Sequence, residues 1–197
     1  MEPSTILVKH CRACKSEDIC DLGIERKYYL ANLDKTISMS YRICLDCHFI
    51  FQGRYVGDAF LNYYYRHSPM LRTKKETVFE KDQNIRQANF LNRYVSIQGK
   101  NILEIGAHAG SFLRHLHREF GSTVYYEELS EEARQLLSSF DELNDFRECT
   151  ENVQMDVVVL RHVLEHIHDL SGFLNYLKSI VDDDGFIFIE VPDWSVL

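Results

Sequence analysis

One stretch constrains the fold of this 197-residue chain more than any other: Asn101-Ile-Leu-Glu-Ile-Gly-Ala-His-Ala-Gly-Ser-Phe-Leu113. Ile102, Leu103 and Ile105 make the apolar run of a buried strand, Gly106 permits a tight turn, and Gly110-Ser111 opens a helix whose inner face carries Phe112, Leu113 and Leu116. Strand, glycine turn and helix in that order build the corner where open parallel sheets hold nucleotides, beyond the carboxyl ends of the strands. Such a corner calls for an acid about 20 residues further on, to meet ribose hydroxyls. Glu128, closing the apolar run that begins at Thr123, lies 22 residues after Gly106.

Which nucleotide fits is decided by what the turn lacks. A dinucleotide fingerprint needs G-x-G-x-x-G, with a second glycine that lets the backbone touch a pyrophosphate, and His108 stands at that position. An imidazole there obstructs a pyrophosphate. S-adenosylmethionine (SAM) carries an adenosine but no phosphates, so the looser G-x-x-x-G turn suffices, with Glu104 close enough to face its ammonium group. Any βαβ unit with a glycine turn would share the pattern, so the turn alone leaves both readings open.

From Asn101 onward the chain alternates apolar runs and helical patterns: strand 101–105, helix 110–119, strand 123–128, helix 130–139, a weak strand near 143–148 and a strand at 156–160. A further helix begins near Asp169 with Leu170, Phe173, Leu174, Leu177, Ile180 and Val181 on one side, is stopped by Asp182-Asp-Asp-Gly185, and is followed by a fifth strand, Phe186 to Val191. This alternation predicts an α/β fold with a parallel sheet. Before it, residues 74–97 predict a connecting helix packed on the sheet through Val78, Ile85, Ala88, Leu91 and Val95.

Composition narrows the function. At 45% hydrophobic and 26% charged, the chain is of ordinary globular make-up. It lacks a signal-peptide pattern and any aliphatic run long enough to cross a bilayer, which predicts a cytoplasmic protein without a membrane partner. Net charge is 0 over residues 1–65, +4 over 66–98 and −12 over 99–197. The acidic half would repel a phosphate backbone, so a small-molecule acceptor fits better than nucleic acid.

Cys11-Arg-Ala-Cys14 and Cys44-Leu-Asp-Cys47 are two C-x2-C knuckles, 29 residues apart. Two thiolates from each complete the tetrahedron of structural zinc, which makes Cys11, Cys14, Cys44 and Cys47 the candidate metal ligands. The gap exceeds the roughly 15–20 residues of a compact ribbon, so the segment between should form strands or turns of its own. Two unrelated thiol pairs are the alternative. Cys20 and Cys149 have no partner pattern and read as core or half-buried residues. Further on, His48-Phe-Ile-Phe-Gln-Gly reads as a short strand, and Phe60-Leu-Asn-Tyr-Tyr-Tyr-Arg-His-Ser-Pro69 as an aromatic cluster broken by proline. Three successive tyrosines cannot all face one core, so at least one of Tyr63, Tyr64 and Tyr65 lines a cleft or an interface.

After the strand at 156–160 comes Arg161-His-Val-Leu-Glu-His166. His162-Val-Leu-Glu-His166 formally matches the H-x-x-E-H zinc-protease signature. It leaves a buried strand instead of lying on a helix, which counts against that remote alternative. His162, His166 and His168 fall at the carboxyl edge of the sheet, where an acceptor would meet the SAM methyl group and an imidazole could remove its proton.

Taken together, the four cysteines, the tyrosine-rich segment, Glu104-Ile-Gly-Ala-His-Ala-Gly-Ser-Phe-Leu113, and Arg161-His-Val-Leu-Glu-His166 with Ile189-Glu-Val-Pro-Asp193 resemble the zinc-containing sugar C-methyltransferases among the class I SAM-dependent methyltransferases. The resemblance implies a zinc domain (residues 1–58), an aromatic segment and connecting helix (59–98), and an incomplete SAM-binding core with a Rossmann-like sheet (99–197). It implies zinc at the cysteines and SAM held by Glu104, Gly106, His108, Gly110, Glu128, Leu129 and Arg161. Catalysis would come from His166 or His162, with Tyr63 or Tyr65, acting on a nucleotide-linked sugar. Two departures stand out: Ala107-His108-Ala109 replaces a more polar run between the glycines, and Leu129 replaces a frequent proline. Against that family the sequence reads as a fragment with its C-terminal part missing, as a degenerate copy, or as a chain whose closing strands and C-terminal domain come from a partner. The rival expectation is a non-catalytic module that binds zinc and SAM.

Overall fold

The computed structural model describes residues 5–30, 35–67, 76–150 and 153–192. Ser68, Pro69 and Asp193, which enter the sequence reading, lie outside these residues. The chain divides into two compact units, Met1–Ser68 with His168–Phe173, and Pro69–Ile167 with Leu174–Leu197.

In the first unit, β1 (Thr5–Leu7) pairs antiparallel with β5 (Arg54–Val56), and β2 (Ile19–Leu30), β3 (Lys35–Cys44) and β4 (Ile50–Gln52) form a second antiparallel sheet in the order β2-β3-β4. The long gap between the cysteine knuckles is thus filled by the β2 and β3 strands, as the spacing predicted. Val8, Cys11, Cys44 and Phe51 bury one small core, and Met39, Val56 and Phe60 another. Phe60 belongs to α1 (Asp58–His67), so the aromatic cluster is helical. Its tyrosines diverge: Tyr64 stacks on Phe60 at 6.3 Å between ring centroids, while Tyr63 is exposed. Cys20, expected in or near a core, is exposed on β2.

The second unit carries a five-stranded parallel sheet in the order β10-β9-β6-β7-β8. Its strands are β6 (Asn101–Ile105), β7 (Thr123–Glu127), β8 (Leu143–Asp145), β9 (Met155–Arg161) and β10 (Val181–Glu190). β9 and β6 lie inside and are apolar on both faces, with Val157, Val158, Val159, Leu160, Ile102 and Leu103 wholly buried. One face is covered by Ala88 and Leu91 of α2 (Val78–Tyr94), Phe112, Leu113 and Leu116 of α3 (Ser111–Phe120), and Leu137 of α4 (Glu131–Leu137). From α5 (Leu170–Ile180), Leu177 and Ile180 are buried, whereas Leu174, expected on the same inner stripe, is exposed.

α2 corrects the sequence reading in one respect. Thr77 caps it in a reciprocal box with Glu80, worth about 1 kcal/mol. Its inward face, however, is Asn84, Gln87, Ala88 and Leu91, while Val78 is 88% exposed and Ile85 is also exposed. Two amides replace two aliphatic side chains on the buried stripe because the end of the sheet presents charges that need hydrogen-bonding partners.

Candidate functional site

The turn between β6 and α3 is shaped by backbone that only small or strained residues adopt. Gly106 and Gly110 have φ of 75° and 70°, and His108 between them has φ 52°. Space enforces glycine as well: a Cβ on Gly106 would lie 2.7 Å from Val163 Cγ2, and one on Gly110 2.6 Å from Leu137 Cδ2. The Gly106 amide donates to the Glu127 carbonyl at 2.7 Å, tying the turn to the end of β7. Glu128 follows, and its carboxylate accepts from the His108 amide at 2.9 Å and from the Ser130 amide at 2.8 Å. Gly106, His108, Gly110, Glu128 and the exposed Leu129 therefore meet at the carboxyl ends of β6 and β7.

Glu104, one residue inside β6, is 1% exposed. Its Oε1 accepts from Arg161 Nε at 2.7 Å, and its Oε2 is buried with no hydrogen-bond partner. Burial raises the Glu104 pKa, and the Arg161 guanidinium pulls in the opposite direction. Arg161 Nη1 also donates to Asn84 Oδ1 at 3.1 Å and to Gln87 Oε1 at 2.8 Å, and its Cζ lies 4.3 Å from the centre of the Phe112 ring. Gln87 Nε2 in turn donates to Glu190 Oε2 at the end of β10. Arg161 is thus anchored by groups from α2, α3 and β6, and its nearest acid is Glu104. Sequence reading missed Asn84, Gln87 and Glu190. Their only signal was that Asn84 and Gln87 share the helical spacing of Ala88 and Leu91.

Beyond β9, His162 takes a left-handed backbone, φ 56°, which is uncommon for a residue with a side chain. Its amide donates to the Glu190 carbonyl at 2.9 Å, its Nε2 lies 3.2 Å from Glu190 Oε1, and its Nδ1 lies 3.7 Å from Glu165 Oε1. Leu164–His166 form one turn of 3-10 helix, in which the His166 amide donates to the Val163 carbonyl at 2.9 Å. His166 Nε2 is 3.9 Å from Glu165 Oε1. Burial lowers the His166 pKa, against the raising effect of Glu165, which favours a neutral imidazole. His168 belongs to the first unit, where its ring lies 4.0 Å from that of Tyr55.

In the first unit the four cysteine sulfurs lie within 4.8 Å of one another, with Cys11–Cys47 and Cys14–Cys44 both at 3.5 Å. The edges of a zinc–thiolate tetrahedron built on 2.3 Å bonds are about 3.8 Å, so these sulfurs fit such an ion. The two knuckles are local copies of each other. In each, the first sulfur accepts from the second cysteine's amide at 3.5 Å, and the next residue, Lys15 or His48, is left-handed. Amides of Cys47 and Asp46 bring the Cys44 thiol down to about 7 against the effect of burial, closer to its metal-binding form. Tyr63 and Tyr65 stand on α1 in this unit.

A family model described as a methyltransferase domain matches residues 79–196. No curated protein sequence matches the chain. Among solved structures, coclaurine N-methyltransferase bound to N-methylheliamine and SAH aligns with TM-score 0.47 at 13% identity, over 66% of this chain and 43% of that one. Magnesium protoporphyrin IX methyltransferase from Synechocystis PCC 6803 with bound SAM gives TM-score 0.47 and 17% identity over 63% and 71%. A SAM-dependent methyltransferase from Geobacter sulfurreducens with S-adenosyl-L-homocysteine gives 0.42 and 13% over 64% and 53%. The chain spans about half the length of the first of these relatives, 43% in the case of coclaurine N-methyltransferase.

Proposed function

The chain belongs to the methyltransferase-domain family, and from that premise we propose that it transfers the methyl group of SAM to a small acceptor, a nucleotide-linked sugar or related glycan metabolite, with carbon as the favoured methylated atom. The observation that carries the cofactor assignment is the unpartnered, buried Glu104 Oε2 next to the Gly106 turn. A buried carboxylate oxygen without a partner is costly, and an ammonium group offers it a charge-assisted hydrogen bond worth about 1.5–3 kcal/mol.

In this reading Glu128 holds the ribose hydroxyls, Gly106 and Gly110 let the backbone approach the nucleoside, and His108 and Leu129 line the turn. Arg161 acts one step back by fixing Glu104. Bound SAM supplies an electrophilic methyl group on a sulfonium. The proton released by the acceptor passes to an imidazole of the 162–166 segment, His162 or His166. Zinc at Cys11, Cys14, Cys44 and Cys47 is structural, since four protein ligands leave no open position. The sugar acceptor rests on the resemblance set out from the cysteines and the two motifs, and the acidic charge of residues 99–197 supports a small molecule over nucleic acid. No helix among the described residues is long and apolar enough to cross a membrane, which suits a cytoplasmic enzyme.

Calorimetric titration tests the cofactor site. SAM and S-adenosyl-L-homocysteine should bind, NAD should not, and Glu128→Ala should weaken SAM by about 1–3 kcal/mol. Unchanged SAM affinity in that variant would place the ribose elsewhere. SAM binding without turnover on any nucleotide-linked sugar would leave a cofactor-binding module instead of an enzyme.

A further inference from the structure

We infer that Arg12 is a positioning residue: from inside the first cysteine knuckle it holds His168, and so fixes the chain where it leaves the 162–166 segment and enters α5. The contacts that carry this lie within the first unit. Its dependence on a metal rests on the zinc reading of the four cysteines.

Two residues meet at His168. Arg12 Nε donates to the His168 carbonyl at 3.3 Å. The His168 ring lies 4.0 Å from that of Tyr55, and the Arg12 Cζ lies 5.3 Å from the centre of the same Tyr55 ring. Backbone and ring of His168 are therefore held by two side chains that also touch each other.

Both of these side chains are tied to the cysteines. Arg12 sits between Cys11 and Cys14, in a loop closed by the Lys15 amide donating to the Cys11 carbonyl at 3.0 Å and by the Cys14 amide, 3.5 Å from Cys11 Sγ. Tyr55 stands on β5 and packs against the core of Val8, Cys11, Cys44 and Phe51. An ion on the four sulfurs ties residues 11–14 to residues 44–47, and with them the place from which Arg12 reaches out.

The segment being held is a short one. His168 is two residues after His166, and consecutive Cα atoms are about 3.8 Å apart, so fixing His168 confines the His166 backbone to a radius of about 7–8 Å. Immediately afterwards Asp169 caps α5: its Oδ1 accepts from the Gly172 amide at 3.1 Å, and its carbonyl accepts from the Phe173 amide at 3.0 Å. A Cβ on Gly172 would lie 2.2 Å from Asp169 Oδ2, so the glycine makes room for the cap. At its other end the 162–166 segment starts from the His162 amide, which donates to the Glu190 carbonyl at 2.9 Å. Arg12 thus supplies the second fixed end of the segment that carries the two candidate imidazoles.

Hydrogen exchange read by mass spectrometry on the full chain tests this, with no acceptor needed. Arg12→Met keeps the stem and removes the donor. It should retain one zinc per chain, yet amides of 167–173 should exchange roughly 5–50-fold faster than in wild type while those of β6 and β9 stay within about twofold. Arg12→Lys, which keeps a cation and a donor but not the planar fork, should restore part of the protection. In NMR spectra the His168 ring protons, assigned by their loss in His168→Gln, should be displaced by the Tyr55 ring current in wild type and return to ordinary positions in Arg12→Met, a signature that loosening elsewhere would not give. Chelation of the metal should produce the same changes at 167–173 in wild type and add little there in Arg12→Met, since both act through one contact. Exchange at 167–173 unchanged within about twofold in Arg12→Met overturns the positioning role. So does loss of zinc from that variant, because Arg12 would then serve the knuckle and not the segment. Wild type that holds no zinc removes the metal dependence together with the zinc reading, and Arg12→Met still decides whether His168 is held. S-adenosyl-L-homocysteine should bind Arg12→Met within about threefold of wild type; failure of wild type itself to bind it removes the methyltransferase reading and leaves this contact standing.

Discussion

Replacing Arg161 with methionine should be among the most damaging single changes in the second unit, and its cost should depend on pH in a defined direction. Methionine keeps most of the aliphatic stem but removes the guanidinium, whose Cζ lies 4.3 Å from the centre of the Phe112 ring. Glu104, 1% exposed, then loses the donor 2.7 Å from its Oε1, while its Oε2 already has no partner. Stripping a buried pair of one member costs about 3–5 kcal/mol, because the remaining charge is uncompensated. The oxygens of Asn84 and Gln87 also lose a donor, which pushes the value toward the upper end. In wild type, burial raises the Glu104 pKa and Arg161 opposes it; without Arg161 the folded-state value rises further above that of the unfolded chain. A carboxyl group with a raised folded-state pKa contributes its stability below the unfolded value of about 4.3 and loses it as pH climbs through the folded one. The deficit of Arg161→Met relative to wild type should therefore widen between pH 5 and pH 8. Urea unfolding followed by circular dichroism at several pH values measures it, and Glu104→Gln/Arg161→Met should recover much of the loss at pH 8 because no buried charge remains. A deficit under about 1 kcal/mol at pH 8, or one that does not change with pH, would refute this account of the pair.

Two further outcomes are expected. Purified protein should carry one zinc per chain by elemental analysis, and a Cys11→Ala/Cys44→Ala double variant, which removes one ligand from each knuckle, should lose it; full zinc in that variant would exclude these ligands. His115, 9% exposed on α3, has its pKa lowered by burial. Its share of stability is present above the unfolded value of about 6.5 and is lost as pH falls through the lower folded value, so His115→Gln should flatten the loss of stability on the acid side. An unchanged acid limb would assign that slope to other groups, His166 first.

Where the sequence could be read and where it could not has a physical basis. Strands β6 and β9 were legible because both of their faces are buried, which leaves unbroken apolar runs such as Val157 to Leu160. The glycine turn was legible because two residues at positive φ beside close neighbours leave glycine little alternative. The cysteine knuckles declared themselves through spacing alone. Periodicity failed on α2, where it chose Val78 and Ile85 for the inner face and the fold turned Asn84 and Gln87 inward. A hydrophobic count cannot anticipate that an amide will be buried, since the reason lies in Arg161 and Glu190, more than 70 residues away in sequence. The helical state of the three tyrosines was hidden because their aromatic bulk masks an ordinary helix that packs through Phe60. His162 and His166 look alike as letters, and only the end of β10 distinguishes them.

The polar face of α2 also bears on how this chain can be cut. An excised piece starting just ahead of β6 would keep every strand of the parallel sheet and both turn glycines, yet Arg161 would lose two oxygens and Glu190 the amide that restrains it. The helix that precedes the sheet is therefore an integral wall of the ligand-binding end. Asn84 reaches back to Glu76 at 2.8 Å as well as forward to Ser111 at 3.1 Å. A minimal fragment meant to retain the histidine geometry has to begin no later than about residue 76, with the Thr77 cap included.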